Sequence, residues 1–522
     1  MQQQSLPSVW RATVLIGAAS IVAIIAQSPP VGDFDAHGDV GAPKITGSAA
    51  YNPVSQDYTL TAGGTNMWAE RDEFHFVWKR MTGDFILQTR VELVGKGVEP
   101  HRKAGLIVRA GLDADAPYAD AVVHGDGLTS LQFRRTKGAI TEESRPAIKG
   151  ADVLQLERKG TTFTFSSAKF GEPFVTTEVK DLNLGDEVLV GLALCSHNPD
   201  VVERAIFSNV RIIRPAKDGF VPYRDYIGSV LELLDVQSGR RQAIHRAEQP
   251  FEAPNWTPDG RALIFNGSGR GDVRGKLFRF DLATRQPVVI DTGTSNRNNN
   301  DHVLSFDGSM LGISDQSEGQ SAIYTLPAAG LPAGARSAKP GGGTPKRITP
   351  LTPSYLHGWS PDGKRLVYTG GRNGEFDIYT IASDGSGTEQ NMTKSKGLDD
   401  GPEYSPDGRF IYFNSARSGT MQLWRMKADG SEPEQITSDE WNNWFPHVSP
   451  DGQWIAFISF PKDIDPNDHP YYKRVYLRLM PAAGGPARVI AYVYGGQGTI
   501  NVPSWSPDSR MVAFVSNTDV IK

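Results

Sequence analysis

The sequence predicts an all-β chain in which an N-terminal jelly-roll sandwich is followed by a six-bladed β-propeller. Three observations support this prediction. A turn motif containing Pro-Asp-Gly recurs through the second half of the chain, short strands of alternating polarity fill the first half, and the 522 residues include 55 Gly and 35 Pro. A chain of this length suits two domains, and its high content of turn residues is typical of β-proteins.

The first 26 residues are expected to form a secretory signal peptide. Arg11 supplies a positive charge, an apolar stretch from Ala12 to Ala26 follows it, and a polar segment covers residues 27–30. This order predicts cleavage near Ala26 and a periplasmic or secreted protein. The alternative is an uncleaved anchor, for which about 15 apolar residues are short. We expect residues 27–43 to form a flexible lead and no later segment to span a membrane.

Composition excludes several partners and chemistries. The net charge of −5 gives no electrostatic case for a nucleic acid or an anionic membrane as partner. Cys195 is the only cysteine, so no disulfide can form within the chain. Its strand is apolar on both faces, which predicts a buried, unreactive thiol.

Residues 44–215 are predicted to form an antiparallel sandwich. In Phe85–Leu93 the odd positions make one mostly apolar face, and similar short strands separated by turn signals continue to residue 213. The segments Lys103–Arg109 and 207–211 resemble the concanavalin-like lectin/glucanase jelly roll. Residues 216–225 are predicted to be a short linker to the second domain.

The lectin resemblance implies contact with a glycan on a concave face of the sandwich. Aromatic rings stack on sugars, and Arg or Gln side chains bond to hydroxyl groups. The alternative is that the Trp residues are core and the Arg residues are solvated. The candidate side chains are Trp68, Trp78, Arg109, His124, Gln132 and Arg134.

The second half of the chain carries six copies of one turn motif. Four copies read Ser-Pro-Asp-Gly or Thr-Pro-Asp-Gly, and two are degenerate, Ser-Phe-Asp-Gly and Ser-Pro-Asp-Ser. A period of 44 to 57 residues separates the copies, which is typical of one four-stranded blade per repeat. Their aspartates are Asp259, Asp307, Asp362, Asp407, Asp451 and Asp508.

The motif fits a type I turn, in which Ser takes the first position, Pro fixes φ at the second and Gly takes the fourth. An apolar strand follows each copy, but only one strand follows the last copy. The two strands that it lacks are predicted at residues 230–235 and 241–244, before the first copy. The ring is therefore expected to close by pairing N-terminal with C-terminal strands in one blade of a domain spanning 226–522, which leaves no open sheet edge.

Over residues 226–519 these Pro-Asp repeats resemble those of TolB-like propellers. Five phrases are similar to those of exported proteins, often labelled TolB-like or biopolymer-transporter proteins, that join this propeller to a lectin-like sandwich. The phrases lie at residues 297–302, 355–359, 398–403, 443–447 and 495–501. The resemblance implies the fold and export, whereas the label does not establish transport.

Residues just before each turn motif are expected to meet at the mouth of the propeller channel. His302 and His357 take matching places on adjacent blades, with Asp399 and Asp400 on the next blade. The predicted ligand-binding set is Asn300, Asp301, His302, Tyr355, His357, Asp399, Asp400, Glu403, Asn443, Trp444, His447, Gln497 and Asn501.

Two His side chains beside carboxylates can bind a divalent cation or act as base and acid on a sugar acid. His302 and His357 are therefore the candidate metal ligands, and with Asp399 and Asp400 they are the candidate catalytic residues. Lyases of the oligogalacturonate type use His and Gln near the axis in this way, but no tight His-x-His pair is present here. The alternative for each His is a structural side chain bonded to a loop carbonyl.

A long loop at residues 461–472 joins two strands of the fifth blade. Asp463, Asp465, Asn467 and Asp468 suggest a Ca²⁺ loop, but the Gly and terminal Glu of an EF-hand are absent. A solvated lid is the preferred interpretation of this loop. Loops of this length are often functional.

Three functions remain open from the sequence. The leading hypothesis is an exported protein that binds a glycan or a protein segment at the propeller mouth, with a carbohydrate-binding sandwich as a second contact. The alternatives are a carbohydrate-active enzyme, either polysaccharide lyase or glycoside hydrolase, at the same mouth, and an envelope scaffold in a Tol-like assembly. A serine peptidase is excluded because no Gly-x-Ser-x-Gly elbow occurs.

Overall fold

The computed structural model describes residues 29–328 and 344–519. These residues form strands and loops together with two short 3₁₀ helices, Gly271–Val273 and Gln497–Thr499. The predicted signal peptide lies outside the described residues. Within residues 29–328 and 344–519, no helix has the length and apolar character needed to cross a membrane.

Sixteen strands form the N-terminal domain. They are β1 (Ala36–Val40), β2 (Ser48–Asn52), β3 (Asp57–Ala62), β4 (Met67–Trp68), β5 (Arg71–Asp72), β6 (Phe74–Thr82), β7 (Phe85–Leu93), β8 (Lys103–Arg109), β9 (Tyr118–His124), β10 (Thr129–Arg134), β11 (Glu142–Ser144), β12 (Val153–Lys159), β13 (Thr162–Ala168), β14 (Val175–Val179), β15 (Glu187–Cys195) and β16 (Glu203–Ile213).

Two seven-stranded antiparallel sheets pack against each other in this domain. One sheet has the order β1-β6-β15-β8-β9-β10-β11 and the other β14-β13-β12-β7-β16-β3-β2, while β4 and β5 form a separate hairpin. Leu87, Leu106 and Phe165 belong to the shared core. This arrangement is compatible with the predicted sandwich. Cys195 is buried as predicted, and burial raises the pKa of its thiol to about 11.

The expected flexible lead over residues 27–43 is wrong from Ala36 onward. There the chain forms β1, which pairs with β6 in the register Ala36 to Trp78 and Val40 to Phe74. Ala36 and Val40 are almost completely buried in an apolar cluster with Phe76. The pairing and this burial fix a segment that the sequence pattern did not mark as a strand.

The propeller contains the remaining strands. They are β17 (Ser229–Asp235), β18 (Arg241–Ala247), β19 (Phe251–Trp256), β20 (Ala262–Gly267), β21 (Leu277–Asp281), β22 (Gln286–Val289), β23 (Asn298–Leu304), β24 (Met310–Asp315), β25 (Ala322–Pro327), β26 (Lys346–Arg347), β27 (Ser354–Trp359), β28 (Arg365–Arg372), β29 (Glu375–Ala382), β30 (Gln390–Asn391), β31 (Asp399–Tyr404), β32 (Phe410–Ser415), β33 (Gln422–Lys427), β34 (Glu434–Gln435), β35 (Asn442–Val448), β36 (Trp454–Phe460), β37 (Lys473–Pro481), β38 (Arg488–Gly495) and β39 (Met511–Asn517).

Six blades result, as predicted. Five are four-stranded sheets of consecutive strands, from β19–β22 to β35–β38. The sixth has the order β18-β17-β39, and a bridge from Trp505 to Val512 adds its innermost segment. β17 pairs with β39 from Ser229 opposite Asn517 to Asp235 opposite Met511. The predicted closure of the ring by N-terminal and C-terminal strands is therefore confirmed.

The Pro-Asp turns are held by their own side chains. In the third blade the Ser360 hydroxyl donates to Asp362 (2.6 Å), and the backbone N–H of Gly363 donates to the Ser360 carbonyl (2.8 Å). Gly363 has φ of +69°, which a residue without a Cβ adopts at little cost. Local hydrogen bonding therefore explains why the motif repeats so regularly.

A buried ion-pair triad joins the two domains. Glu232 of β17 accepts hydrogen bonds from Arg211 of the sandwich strand β16 (2.6 Å) and from Arg241 of β18 (2.7 Å). Arg241 also donates to Gln88 of β7 (3.1 Å). Burial raises the pKa of Glu232, but the two guanidinium groups outweigh it and hold that pKa well below its usual range. The closing blade and the sandwich are thus joined by a buried charged contact.

Removing the central carboxylate should destabilise the whole protein. Glu232→Ala leaves two arginines buried without their anion, which costs about 3–5 kcal/mol of unfolding free energy. Glu434→Ala is the matched control, because its pair with Arg425 lies at the surface and contributes at most about 1 kcal/mol. Differential scanning calorimetry of the three proteins checks this expectation, and equal melting temperatures for both variants would contradict it.

Candidate functional site

A cavity of about 560 Å³ opens at the propeller axis, where the innermost strands of the blades begin. Its volume lies within the range of pockets that bind small molecules. β19, β23, β27 and β31 contribute Glu252, Asp301, His357 and Asp400 to its wall. Side chains from outside the inner strands complete the wall.

The innermost strands of the first five blades each carry a β-bulge close to the cavity. The register shifts between Glu252 and Asn255 in β19 and between Asp400 and Glu403 in β31, and equivalent shifts occur in β23, β27 and β35. At two of these bulges Ala253 and Phe445 have positive φ values of 58° and 54°. Bulges re-aim side chains, and strained backbone of this kind clusters at functional sites.

Asp400 is the centre of a buried hydrogen-bonded network. It accepts from the hydroxyl of Thr369 (2.7 Å), and its carboxylate lies 3.3 Å from His357 Nε2 and 3.2 Å from His469 Nε2. His357 Nδ1 faces the carbonyl of Asn501 at 3.2 Å. Both nitrogens of His357 therefore face acceptors, an arrangement that favours the imidazolium form.

The carboxyl groups on either side of His357 have opposite tendencies to ionise. Burial raises the pKa of Asp301 to about 6 despite the nearby His357. Burial acts in the same direction on Asp400, but hydrogen bonds from His357 and His469 outweigh it and hold the pKa of Asp400 far below its usual range. Near neutral pH one group is thus close to its titration point while the other stays ionised, a division of roles used in acid–base catalysis.

Tyrosine rings form part of the rim. Tyr223 and Tyr226 come from the segment between the domains, and Tyr471 comes from the long loop of the fifth blade. The rings of Tyr223 and Tyr471 lie edge to face at 5.3 Å, and the Tyr226 hydroxyl donates to the Tyr223 carbonyl (3.0 Å). Tyr223 is 66% exposed, so its ring is open to a ligand.

The segment between the domains is fixed to the propeller. The backbone N–H of Ala216 donates to the Tyr494 hydroxyl (3.1 Å), and that of Ile227 donates to the Tyr472 hydroxyl (3.2 Å). The ring of Phe220 also packs on Tyr472 at 4.9 Å. These contacts hold the linker tyrosines at the cavity.

Six of the side chains predicted from the sequence line the cavity, namely Asn300, Asp301, Tyr355, His357, Asp400 and Gln497. The other predicted side chains are buried around it and bond to the protein itself. Glu403 pairs with His447 (2.6 Å), and Asn501 donates to Asp301 (3.1 Å).

Three of the four other predicted residues of this set also have internal partners. Asp399 pairs with Arg417 (2.8 Å), and Asn443 donates to Asp439 (2.9 Å). Trp444 packs its ring on the imidazole of His469 at 5.1 Å. These contacts support the wall from behind.

The structure does not bring His302 and His357 to a common ligand. His302 is completely buried, and its Nε2 lies 3.3 Å from the carbonyl of Ile264 in the first blade. Burial lowers the pKa of its imidazole to about 4. The alignment of repeats placed the two histidines at equivalent positions, but their strand pairing differs. The bulge in β27 leaves His357 out of the pairing with β28, whereas His302 pairs with Ile313.

A divalent cation finds no ligand set in the described structure. Across residues 29–328 and 344–519, no three His, Cys, Asp or Glu side chains are grouped to hold a metal ion. In the fifth-blade loop Asp465 accepts from the backbone and side chain of Asn467, so that carboxylate stabilises a turn. His469, near the end of this loop, instead reaches Asp400.

The predicted glycan-binding face of the sandwich is covered by the chain itself. Arg109 and Arg134 are completely buried and donate to Asp72 at 2.6 and 2.8 Å. Asp72 belongs to the β4–β5 hairpin, which lies over that face. The expectation of accessible arginines is therefore wrong, because the hairpin occupies their hydrogen-bonding groups.

The other sandwich candidates have similar surroundings. Trp78 lies in an apolar cluster, and Gln132 accepts from Lys103 at 3.2 Å. His124 is buried beside the carbonyl of Leu128. Trp68 alone of the six is half-exposed.

Several cavity residues were missed by the sequence analysis. The predicted site residues did not include Glu252, Thr369, His469 or the tyrosines Tyr223, Tyr226 and Tyr471. Glu252 stands two positions before a Pro in the first blade, as Asp400 does in the fourth, so the repeat alignment carried a signal for it. The linker tyrosines lie outside the repeat and have no such signal.

The raised pKa of Asp301 predicts a specific pH dependence of stability. The folded protein holds this proton up to about pH 6, whereas the unfolded chain releases it near pH 4. The contribution of the protonated group is complete below about pH 4 and is lost as the pH rises through 6. At about 1.4 kcal/mol for each pH unit, the loss amounts to about 3 kcal/mol.

Asp301→Asn removes this titration, so the variant should gain stability relative to the wild type between about pH 3.5 and pH 7.5, two values on either side of the window of about 4 to 6. Thermal melts at both pH values measure the difference. Asp463→Asn, in an exposed loop position, is the control and should follow the wild type. Parallel pH profiles for Asp301→Asn and the wild type would rule out the assigned titration.

Comparison with known proteins identifies the family. A family model described as the TolB beta propeller domain (PD40) matches residues 353–520. An uncharacterized protein of Agrobacterium fabrum is 44% identical over 289 residues, which is 55% of this chain and 92% of that protein. A solved structure from Agrobacterium tumefaciens, provisionally described as TolB, is 43% identical with a TM-score of 0.51 and covers 57% of this chain and 100% of its own.

TolB from Acinetobacter baumannii is more distant, at 19% identity and a TM-score of 0.39, and the match covers 52% of this chain and 64% of that one. The extent of the Agrobacterium matches and the six-bladed ring lead to one assignment. The chain belongs to the family of TolB-like PD40 β-propeller proteins.

Proposed function

We propose that this protein is exported and binds a glycan in the cavity at the propeller mouth. The observation that carries the proposal is the composition of the cavity wall, in which the exposed ring of Tyr223 and two half-buried tyrosine rings accompany amides and buried acid and imidazole groups. Aromatic rings pack on the apolar faces of sugars, while amides and carboxylates bond to their hydroxyl groups. Export rests on the signal-like residues 1–26.

A glycan fits the cavity better than a folded protein partner does. Stable protein interfaces bury about 800 Å² on each side, whereas this site is a concave pocket of small-molecule size. Its deepest groups, Asp301 and Asp400, are almost fully buried, so only a narrow ligand can reach them. A protein segment inserted as an extended chain is the remaining alternative.

A carbohydrate-active enzyme is the second candidate function. It is favoured by the opposite pKa shifts of Asp301 and Asp400 around the shared imidazole of His357. His357 has a raised pKa, because the two carboxylates outweigh the effect of burial. These three side chains together supply a proton donor and a proton acceptor near neutral pH.

A binding screen with purified full-length protein tests the proposal. Isothermal titration against neutral and acidic oligosaccharides and soluble peptidoglycan fragments should yield at least one ligand. Tyr223→Ala should weaken that binding about tenfold, because the ligand loses an aromatic contact of about 1.4 kcal/mol. Phe306→Ala is the matched control, since Phe306 is an exposed aromatic residue beyond the opposite end of β23.

The same samples separate the two candidate functions. New reducing ends indicate a hydrolase, and unsaturated sugar products indicate a lyase. If cleavage occurs, Asp301→Asn should abolish it while binding persists. An absence of glycan binding across the whole panel would refute the proposal and leave the envelope scaffold as the hypothesis to examine.

A further inference from the structure

Two arginines lie at the edge of the cavity, and the described part of the chain places no carboxylate against either of them. Arg274 follows the 3₁₀ helix between β20 and β21, and Arg297 immediately precedes β23. Both side chains are exposed and both line the cavity. Among the described residues, neither guanidinium forms an ion pair or a side-chain hydrogen bond. They are therefore free to bind a ligand.

The backbone holds these arginines next to each other. The N–H and the side-chain amide of Asn298 both donate to the carbonyl of Gly275, at 3.0 and 2.9 Å. A Cβ added at Gly275 would lie 2.8 Å from Cα of Arg297, and Gly275 has φ of +74°. The glycine thus allows the first-blade loop to approach the second blade, which brings the positions of Arg274 and Arg297 together.

A neighbouring arginine shows what a structural role looks like at this edge. Arg270 donates to the carbonyl of Arg224 and lies 3.9 Å from Asp225, so it helps to fix the linker. Arg274 and Arg297 make no comparable contact. Beside them, Oδ1 of the buried Asn298 has no hydrogen-bond partner in the described structure. An anionic ligand in the cavity would supply a partner for both guanidinium groups.

We propose that the cavity takes an acidic glycan and that Arg274 and Arg297 bind the carboxylate of a uronic acid unit. This inference rests on the proposed glycan-binding function and specifies its ligand class. A guanidinium group presents a planar fork of donors that matches a carboxylate in two parallel hydrogen bonds. The sugar hydroxyls would then face Asn298 and the acid and imidazole groups deeper in the cavity.

The division of charge in the cavity agrees with this orientation. The carboxylates Glu252, Asp301 and Asp400 are almost fully buried, whereas the two arginines are at the exposed edge. A ligand carboxylate directed inward would compete with the ionised Asp400 for the hydrogen bonds of His357 and His469, and one directed toward the edge meets the arginines. A neutral sugar would leave both guanidinium groups to water.

Two matched ligand pairs test the charge requirement on the full-length protein. Trigalacturonate is compared with α-1,4-galactotriose, and trimannuronate with mannotriose, by isothermal titration. We expect at least one acidic trimer to bind about tenfold more tightly than its neutral counterpart at low salt. This preference should shrink at about 0.5 M NaCl, where exposed charges are screened within about 4 Å.

Substitutions then connect the preference to the two side chains. The double variant Arg274→Gln/Arg297→Gln should lose the preference for the acidic trimer and keep the affinity for the neutral one. Arg261→Gln is the matched control, because Arg261 is an exposed arginine in the Pro-Asp turn of the first blade. Arg297→Lys should retain part of the preference, since it keeps the charge and loses the planar fork.

The outcomes distinguish this inference from the function on which it rests. Equal binding of acidic and neutral trimers, or a preference that survives in the double variant, would overturn the inference while glycan binding stands. If no glycan in the wider panel binds, the proposed function fails and the inference fails with it. Unchanged melting temperatures of the variants exclude misfolding as the cause.

Discussion

The contact of Glu232 with Arg211 and Arg241 is the interaction on which the rest of the structure depends. Glu232 lies on β17, the strand that completes the sixth blade by pairing with β39. Arg211 lies on the sandwich, so closure of the ring and docking of the first domain use the same carboxylate. A buried charge is costly without its partner. The three side chains are therefore held together in one arrangement.

The position of the cavity follows from this closed ring. Inner strands from separate blades converge on the axis only when all six blades are in place. Their bulges then direct polar side chains inward at the end where Asp301, His357 and Asp400 meet. Burial of these groups has an electrostatic consequence. Removal of water raises the pKa of Asp301, whereas hydrogen bonds outweigh the same effect at Asp400 and lower its pKa.

The sequence predicted the architecture well because the responsible interactions are local. Each Pro-Asp turn is held by contacts within five residues, so it is visible as a short motif, and its period gives the blade count. The closing strands were predictable by counting the strands that the last repeat lacks. β1 was missed, because its pairing with β6 joins residues that are distant in the sequence.

The site was only partly predictable, for three physical reasons. A bulge displaced His357 from the register that His302 keeps, so an alignment of repeats could not tell which imidazole enters the cavity. Arg109 and Arg134 resembled sugar-binding residues, but Asp72 on a separate hairpin binds both. Tyr223 comes from a linker with no repeat, where sequence position carries no information about location in space.

The exchange of strands in the sixth blade also orders events during synthesis. β17 and β18 emerge from the ribosome before any complete blade, and β39, the partner of β17, follows the strands of the five other blades. The ring therefore cannot close until β39 has been synthesised, and contacts of such long sequence separation form slowly. A chain that stops short of β39 would carry an open edge on β17 and a propeller without a formed axis. Closure of the ring thus depends on synthesis through β39.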